Sequence, residues 1–323
     1  MQSYPPLASP VVFVAGSLRS GSTLMSLMLD RHPEIRDPGE FDFLFDGLGI
    51  DAGVSGAQAL GSHGLDKFLG DDRIYLLHGR RMPPGDDVVQ RLRAYVDDVA
   101  GSGRSGWLAL NIHRNFLSAH ELFPEARFLH LVRDPRDCAA SSIGMGWAGN
   151  VFFGAQPWVD AEDSWDRLRP RLAPGQALEL HFEDLVTRPQ ETLTQVCSFL
   201  GLAYDPRMID LSGTTYEPPS AAFAGQWRRK LSAREIGLVE ARVGTRQLVA
   251  RGYEPLYPNA PAIGGLAKLR LKLQDAAYRH RHRITHYGSW LWLQELLARR
   301  FGHSMRLQQV RHRMMAIDAQ HLK

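Results

Sequence analysis

Residues 16–23, GSLRSGST, combine glycines, hydroxyl side chains and one guanidinium in a single short segment. Glycines let a backbone approach a ligand closely, and free N–H groups at the start of a helix bind phosphate or sulfate. A nucleotide kinase carries Gly-Lys-Ser/Thr at such a turn, whereas Arg19 is the cation here, and its forked donors suit an anion with several oxygens. The alternative is a serine-rich turn that only caps a helix. The candidate anion-binding residues are Ser17, Arg19, Ser20, Gly21, Ser22 and Thr23.

Other side chains could take part in the same chemistry. Glu40 is a candidate general base that takes a proton from a hydroxyl nucleophile, with Asp42 as its competitor and a solvated surface acid as the alternative interpretation. Asn111 and His113 stand at the end of one apolar run, although a lone histidine is more often structural than catalytic. Arg133 ends another apolar run, and the DPRD segment that follows it could alternatively be a salt-bridged turn that caps the next helix.

These residues follow short apolar runs that alternate with helical patterns. VVFVA at 11–15 is typical of a strand buried on both faces of a parallel sheet, and TLMSLMLDRH after the loop has helical spacing. Further strands are predicted at 107–112, 127–133 and 176–182, each followed by a helical segment, and after the last strand a loop is predicted before the helix. The alternation predicts an α/β, P-loop-like fold in three layers, with a central mainly parallel sheet flanked by helices.

Residues 46–105 are less regular and are interpreted as an insertion on the acceptor side of the catalytic domain. The stretch GLGIDAGVSGAQALGSHG is predicted to be flexible, and DDVVQRLRAYVDDVAG is predicted to form an amphipathic helix. We divide the chain into a catalytic domain at 1–260 and a basic, amphipathic helical extension at 261–323.

The bulk composition is that of an ordinary globular protein, with 44% hydrophobic and 23% charged residues among 323. Two cysteines, Cys138 and Cys197, are too few and too far apart for a disulfide framework or a zinc site. The N-terminal residues lack the pattern of a signal peptide, and no apolar run is long enough for a membrane span. We therefore expect a cytoplasmic enzyme.

Five segments in the same order resemble those of PAPS-dependent sulfotransferases, closest to the branch that includes tyrosylprotein sulfotransferases. PAPS is 3′-phosphoadenosine-5′-phosphosulfate, the donor of the sulfuryl group. The segments are GSLRSGSTLMSLMLDRHPEI, RHPEIRDPGE ending in Glu40, FPEARFLHLVRDPRDCAASS, HFEDLVTRPQETLTQVCSFLGLAYDP and QWRRKLSARE. The resemblance covers roughly residues 10 to 255.

The resemblance implies transfer of a sulfuryl group from PAPS to an acceptor hydroxyl by in-line displacement without a metal. It implies that Glu40 is the general base and that Arg19 contacts the 5′-phosphosulfate. Arg133 and Ser141 would bind the 3′-phosphate, with Ser142 as a substitute for Ser141. Near the tryptophan segment, Arg228, Arg229 and Lys230 could close over the nucleotide, while Trp227 is interpreted as a core residue.

Two positions depart from the family pattern. Asn111-Ile112-His113 stands where many members have Lys-Thr-Pro, so either Asn111 as a hydrogen-bond donor or His113 or Arg114 as a cation would replace the lysine. Phe182 stands where the family has the tyrosine of Tyr-Glu-Asp-Leu, and the resemblance implies that it contacts the cofactor there, without the hydroxyl of that tyrosine. His130, inside a predicted strand, is interpreted as a core histidine.

Two other functions compete with sulfuryl transfer. A P-loop kinase of a small molecule would need the absent Gly-Lys-Ser/Thr, and a non-catalytic, membrane-associated protein could have kept the fold while losing activity. The chemical class of the acceptor is not determined by these patterns, because one fold and donor site serve many acceptors. The candidates are a small molecule such as a phenol, a sugar, a lipid and a peptide tyrosine.

The C-terminal segment is strongly basic, with twelve Lys and Arg against three Asp and Glu from Leu266 to Lys323. Leucines and the aromatic residues Trp290, Trp292 and Phe301 are interspersed among these cations. Basic amphipathic helices of this kind contact membrane surfaces or partner helices, and the alternative is a helical pair packed on the core. Nucleic acid is disfavoured because no recognised binding motif accompanies the charge.

Overall fold

The computed structural model describes residues 6–48, 61–101, 106–259, 262–301 and 304–321. The chain forms two compact units. The first consists of Met1–Cys138 with Pro157–Lys230, and the second of Ala139–Gln156 with Leu231–Lys323. These units do not follow the predicted boundary at residue 260, and the assignment of a catalytic domain and an extension stays a prediction.

A five-stranded parallel sheet forms the centre of the first unit, in the order β2-β3-β1-β4-β5. The strands are β1 Val11–Ala15, β2 Ile35–Arg36, β3 Trp107–Ile112, β4 Arg127–Val132 and β5 Ala177–His181. The four predicted strands are therefore confirmed to within one residue at each end. The two-residue β2 was not predicted, because so short a strand has no periodicity to read.

Helices connect and cover these strands. In chain order the helices of the described residues are α1 Ser22–Asp30, α2 Ser62–Asp71, α3 Arg73–His78, α4 Val88–Ala100, α5 Phe116–Leu122, α6 Pro135–Gly144, α7 Val151–Gly154, α8 Gln156–Leu168, α9 Phe182–Thr187, α10 Pro189–Leu200, α11 Trp227–Lys230, α12 Ala233–Val243, α13 Thr245–Ala250, α14 Gly265–Tyr287, α15 Ser289–Arg300 and α16 Ser304–His321.

Two stretches predicted as irregular are more helical than expected. The segment after β5 was predicted to be a loop before a helix, but it forms α9, followed directly by α10. Pro189 starts α10 at a position where its missing N–H costs nothing. In the predicted insertion, α2 and α3 precede the expected α4. The greater part of the predicted flexible stretch, residues 49–60, lies outside the described residues.

The hydrophobic core lies on both faces of the sheet. Along β1, Val11, Phe13 and Ala15 contribute to one buried cluster, and Val12 and Val14 contribute to the other. Side chains of a strand alternate between faces, so a strand with apolar residues at every position must be covered on both sides. This explains why the continuous run VVFVA predicted the strand correctly.

His130 in β4 is buried in this core, as the sequence suggested, but it has ionic partners. Its ring lies parallel to Trp165 with 4.0 Å between centroids. Its Nε2 lies 3.2 Å from Glu162 Oε2, and its Nδ1 lies 3.1 Å from Glu179 Oε2. Burial lowers the pKa of His130, but the two carboxylates outweigh burial and raise it above 6.5.

The strand register brings the functional segments to one edge of the sheet. Ala15 of β1 pairs with Ile112 of β3 and with His130 of β4, and Val132 of β4 pairs with His181 of β5. The carboxyl ends of these strands therefore lie side by side, where parallel α/β sheets bind ligands. From β1 the chain goes to β2 and β3 on one side and then crosses to β4 and β5 on the other, so the loop after β1 lies where the strand order reverses.

The second unit is helical among its described residues. Asp275 of α14 accepts a hydrogen bond from the Gly149 N–H at 2.6 Å, and Asn150 donates to the Leu271 carbonyl at 2.8 Å. These bonds fix α14 to the segment before α7. Within the described part of the chain, none of the helices is long and apolar enough to cross a membrane.

Candidate active site

The loop between β1 and α1 has the geometry of an anion site. Arg19 and Gly21 adopt left-handed backbone conformations, with φ of 71° and 100°. Gly21 is the N-cap of α1 and provides no side chain to cap it. The N–H groups of the first turn therefore keep their hydrogen-bonding capacity, and they lie at the positive end of the helix dipole.

Phe182 closes the loop from the side of β5. A Cβ on Gly21 would lie 2.3 Å from Cδ2 of Phe182, so the ring packs directly against the loop backbone. Phe182 is itself buried at the start of α9. The residue predicted to contact the cofactor therefore shapes the loop through packing, a contact that needs no hydroxyl.

We expect Gly21→Ala to destabilise the protein more than Gly175→Ala. Gly175 also has a positive φ, of 78°, but a Cβ there meets nothing within 4 Å. The conformational strain alone costs about 1–3 kcal/mol, and the clash with Phe182 adds about 1–3 kcal/mol of overpacking. Urea unfolding of both variants measures the difference, and equal losses of free energy of unfolding would show that Phe182 does not restrict the loop.

The hydroxyl groups of the loop differ in their surroundings. Ser17 is buried, and its Oγ lies 3.8 Å from Cys138 Sγ. Ser20 is completely buried, yet among the described residues its Oγ has no hydrogen-bond partner. A buried hydroxyl without a partner is costly in a folded protein unless a ligand supplies the partner. Ser22 is buried at the start of α1, and Thr23 beside it is exposed.

Arg133, directly after β4, lies against the loop. Its Nη1 donates to the Arg19 carbonyl and its Nη2 to the Phe223 carbonyl, both at 3.2 Å. The guanidinium carbon stands 4.1 Å from the centre of the Phe182 ring. The predicted 3′-phosphate residue thus joins the loop, the start of α9 and the segment before α11. Ser141 lies on α6 in the second unit, and its role with Arg133 stays a prediction.

Glu40 is held beside Asn111 by main-chain contacts. The two residues form a parallel bridge, in which the Phe41 N–H donates to the Asn111 carbonyl at 2.8 Å. His78 donates from Nε2 to the Glu40 carbonyl at 2.9 Å. Asn111 is buried, and its Oδ1 has no hydrogen-bond partner among the described residues. The carboxylate of Glu40 remains available for chemistry because its backbone alone makes these contacts.

A chain of hydrogen bonds connects Asp42, His113 and Ser22. Asp42 Oδ2 lies 2.7 Å from His113 Nδ1, and Asp42 Oδ1 accepts the His113 N–H at 2.8 Å. His113 Nε2 lies 3.0 Å from Ser22 Oγ in the anion loop. All three side chains are buried. The histidine predicted from sequence therefore contacts the loop, with Asp42 as its partner.

The protonation state of His113 follows from this pairing. Burial lowers its pKa, but the Asp42 carboxylate and, more weakly, Glu40 outweigh burial and raise the pKa above 6.5. Burial likewise raises the pKa of Asp42, but His113 and Arg114 bring it below 3.8. A charged imidazolium donates from Nδ1 to Asp42 and from Nε2 to Ser22. In that form His113 has no free lone pair to accept the Ser22 proton, unlike the neutral histidine of the Asp–His–Ser triad of hydrolases.

The segment QWRRK borders the site through Trp227. The Trp227 side chain is buried, and Arg136 stands 3.9 Å from its ring centre. The backbone N–H of Trp227 donates to Asp137 Oδ1 at 2.7 Å. These contacts agree with a core role for this tryptophan. Arg228 stands 4.4 Å from the same ring and is exposed, as is Arg229. Their contact with a nucleotide stays a prediction.

Sequence reasoning missed two members of this arrangement. Asp42 was considered only as a competitor of Glu40 for the role of base, whereas it is bound to His113, 71 residues away. His78 was not considered at all. The DPRD alternative is in part correct, since Arg136 Nη2 pairs with Asp134 Oδ2 at 2.8 Å. No spacing in the sequence indicates the Asp42 and His78 contacts, because each joins separate elements.

Comparison with known proteins identifies the family. A model of the sulfotransferase family matches residues 10–206, more than half of the chain. The chain belongs to the sulfotransferase family. The sulfotransferase domain of the curacin biosynthetic pathway shares the fold, with a TM-score of 0.53 at 17% identity, covering 77% of this chain and 99% of that domain. The predicted fold class and the resemblance to PAPS-dependent sulfotransferases are thereby confirmed.

Curated relatives of this sulfotransferase include protein-tyrosine sulfotransferases. A putative one from Caenorhabditis briggsae is 26% identical over 208 residues, which is 62% of this chain and 68% of the relative. Protein-tyrosine sulfotransferase 2 of Gallus gallus is 25% identical over 215 residues, which is 62% of this chain and 53% of the relative. The chain thus spans about half of the chicken enzyme and about two thirds of the nematode protein.

Proposed function

We propose that this sulfotransferase moves a sulfuryl group from PAPS to an acceptor hydroxyl, with Glu40 as the general base. The observation that carries the proposal is the meeting of three features at one edge of the sheet. These are the uncapped start of α1, the Glu40–Asn111 bridge and the Asp42–His113–Ser22 chain. Together they offer an anion site, a base and a buried cation.

The residues of the loop fit the donor. The unpartnered Ser20 hydroxyl and the N–H groups of the first turn of α1 would hold the phosphosulfate, with Arg19 beside them. Arg133, fixed by the Arg19 and Phe223 carbonyls, would hold the 3′-phosphate. When bound, PAPS supplies an activated sulfuryl group whose leaving group is a phosphate.

Glu40 would take the proton of the attacking hydroxyl. A base contributes when its carboxylate can reach that proton, and the main-chain bridge to Asn111 fixes Glu40 at the edge where the loop lies. Asp42 is the poorer base, since its two oxygens already accept from the backbone and ring of His113.

His113 would supply the positive charge that lysine supplies in many family members. Its raised pKa favours the imidazolium form, and its Nε2 lies within hydrogen-bond distance of Ser22 Oγ at the start of α1. Preorganised donors aimed at developing negative charge are often the largest catalytic contribution. The amide of Asn111 would add a neutral donor beside Glu40.

The acceptor to test first is a peptide tyrosine, because the two relatives described above are named protein-tyrosine sulfotransferases. Phenols, sugars and lipids follow in the same screen, since family members share a donor site across acceptors. A cytoplasmic location and independence from metals stay predictions.

The decisive experiment is a calorimetric titration with 3′-phosphoadenosine-5′-phosphate (PAP) without metal. We expect wild-type protein to bind PAP and Arg133→Ala to bind it roughly 10- to 100-fold more weakly, because bonds to a charged group are lost. Arg171→Ala removes an equally charged but exposed arginine that pairs with Glu121, and should bind like the wild type. Binding of ATP with magnesium in preference to PAP, or no binding of PAP, would refute the proposal.

A further inference from the structure

The helix α14 has two unlike faces. Leu271 and Asp275 are buried within the second unit, to which α14 belongs. Three leucines point away from that side, with 68% of Leu266, 52% of Leu269 and 62% of Leu273 exposed. At 3.6 residues per turn these three positions fall within about 60° of one another. We call Leu266, Leu269 and Leu273 the leucine stripe.

Cations flank the leucine stripe on both sides. Lys268, Arg270 and Lys272 are all exposed, and the first ten residues of the helix, GLAKLRLKLQ, contain no acid. On the helical wheel Arg270 borders the stripe on one side, and Lys272 and then Lys268 border it on the other. Further along α14, Arg281 is another exposed cation, whereas Arg279 and Arg283 pair with Asp275 and Glu295.

A second exposed apolar surface lies on α15 and the residue that ends it. Trp290 is 69% exposed and Phe301 67% exposed, and both fall on the helix face that also carries the half-exposed Leu297. Single exposed apolar residues are ordinary, but contiguous ones bordered by cations mark an interaction surface. Tryptophan is also a side chain that prefers the boundary between water and lipid.

We propose that α14 lies in the surface of an anionic membrane. The leucine stripe would enter the acyl boundary, while Lys268, Arg270 and Lys272 would face the lipid phosphates. Charge complementarity selects this partner. The flanking cations attract anionic lipids, no acid beside the stripe opposes them, and burial of the leucines adds a hydrophobic contribution. The proposal does not depend on the sulfuryl-transfer proposal, because its test needs neither donor nor acceptor.

Vesicle flotation of the full chain tests the proposal. We expect binding to phosphatidylcholine vesicles containing about 30% phosphatidylserine to exceed binding to pure phosphatidylcholine by about tenfold or more. Leu269→Glu/Leu273→Glu should lower binding to the anionic vesicles by about tenfold or more, since two leucines that would enter the acyl boundary become charged. Val249→Glu alters an equally exposed aliphatic residue on α13 and should bind like the wild type.

A second pair of variants tests the charges. Lys268→Gln/Lys272→Gln should weaken binding by about tenfold, because each cation near an anionic surface contributes to attraction. Lys67→Gln/Arg81→Gln removes two exposed cations from the first unit and should leave binding unchanged. Equal flotation of the leucine variant and Val249→Glu would overturn the proposal. A second outcome would also overturn it: the wild type sediments as a dimer, the leucine variant sediments as a monomer, and neither binds vesicles. The stripe would then contact a second copy of the chain.

Discussion

Replacing Glu40 with glutamine is expected to lower kcat by about 10²- to 10⁴-fold. Glutamine keeps the size of the side chain and removes its ability to accept a proton. The contacts that hold residue 40 use the main chain, namely the bridge to Asn111 and the bond from His78 to the carbonyl. The substitution should therefore leave the fold and the affinity for PAP unchanged, so that the whole effect lies in the chemical step.

Transfer of radiolabelled sulfuryl from PAPS to the acceptor identified with the wild-type protein measures this effect. Glu34→Gln is the matched control, because Glu34 is an exposed glutamate six residues away that is also held by its main chain. Its N–H donates to His32 Nδ1, and its carbonyl accepts from the Trp107 N–H. Glu34→Gln should retain full activity. A Glu40→Gln variant that keeps more than about a tenth of wild-type kcat would assign the base elsewhere, because loss of a general base costs about 10²-fold or more.

Asp42→Asn is expected to lower kcat by roughly 10- to 100-fold and to change its dependence on pH. The Asp42 carboxylate is the largest contribution that raises the pKa of His113. The protonated form is the active one in our proposal, so wild-type activity should persist up to the raised pKa and fall as pH rises through it. In Asp42→Asn that pKa falls, and the loss of activity should begin at lower pH.

A pH profile of kcat for wild type, Asp42→Asn and Asp46→Asn measures this shift. Asp46 is a matched control, because it is an acid four residues further on that hydrogen-bonds to Arg114 instead of His113. Asp46→Asn should keep the wild-type alkaline limb. An Asp42→Asn profile with reduced kcat and an unshifted alkaline limb would show that Asp42 has a structural role only, and that the charge on His113 does not matter to catalysis.

Most of the sheet could be predicted from the sequence, and the reason is physical. The runs at 11–15 and 107–112 are strands with those same limits, because continuous apolar residues need cover on both faces. By contrast, the segment after the strand at 176–182 was predicted to begin with a loop, although the structure has the helix α9, Phe182–Thr187, there. Its six residues are too few to show a period, so its helical state depends on the packing of Phe182 and Leu185 in the core.

The amphipathic pattern of the C-terminal segment shows a similar limit. Periodicity predicted that this segment is helical with an apolar face, and α14 is such a helix. A hydrophobic pattern does not tell whether a neighbouring element covers a given leucine. In the structure Leu271 is covered, whereas Leu269 and Leu273, two residues away on either side, are exposed.

The sequence alone indicated the strand, loop and helix around residues 16–23 as a candidate anion site, the family, and the candidates Glu40, Arg133 and His113. These signals are local, since each depends on neighbours within one element. Only the tertiary structure decided that Asp42 binds His113 and that His113 contacts Ser22, across 71 and 91 residues. Such contacts follow from the strand order and register, which bring the carboxyl ends of β1 and β3 together, and no spacing along the chain encodes that meeting.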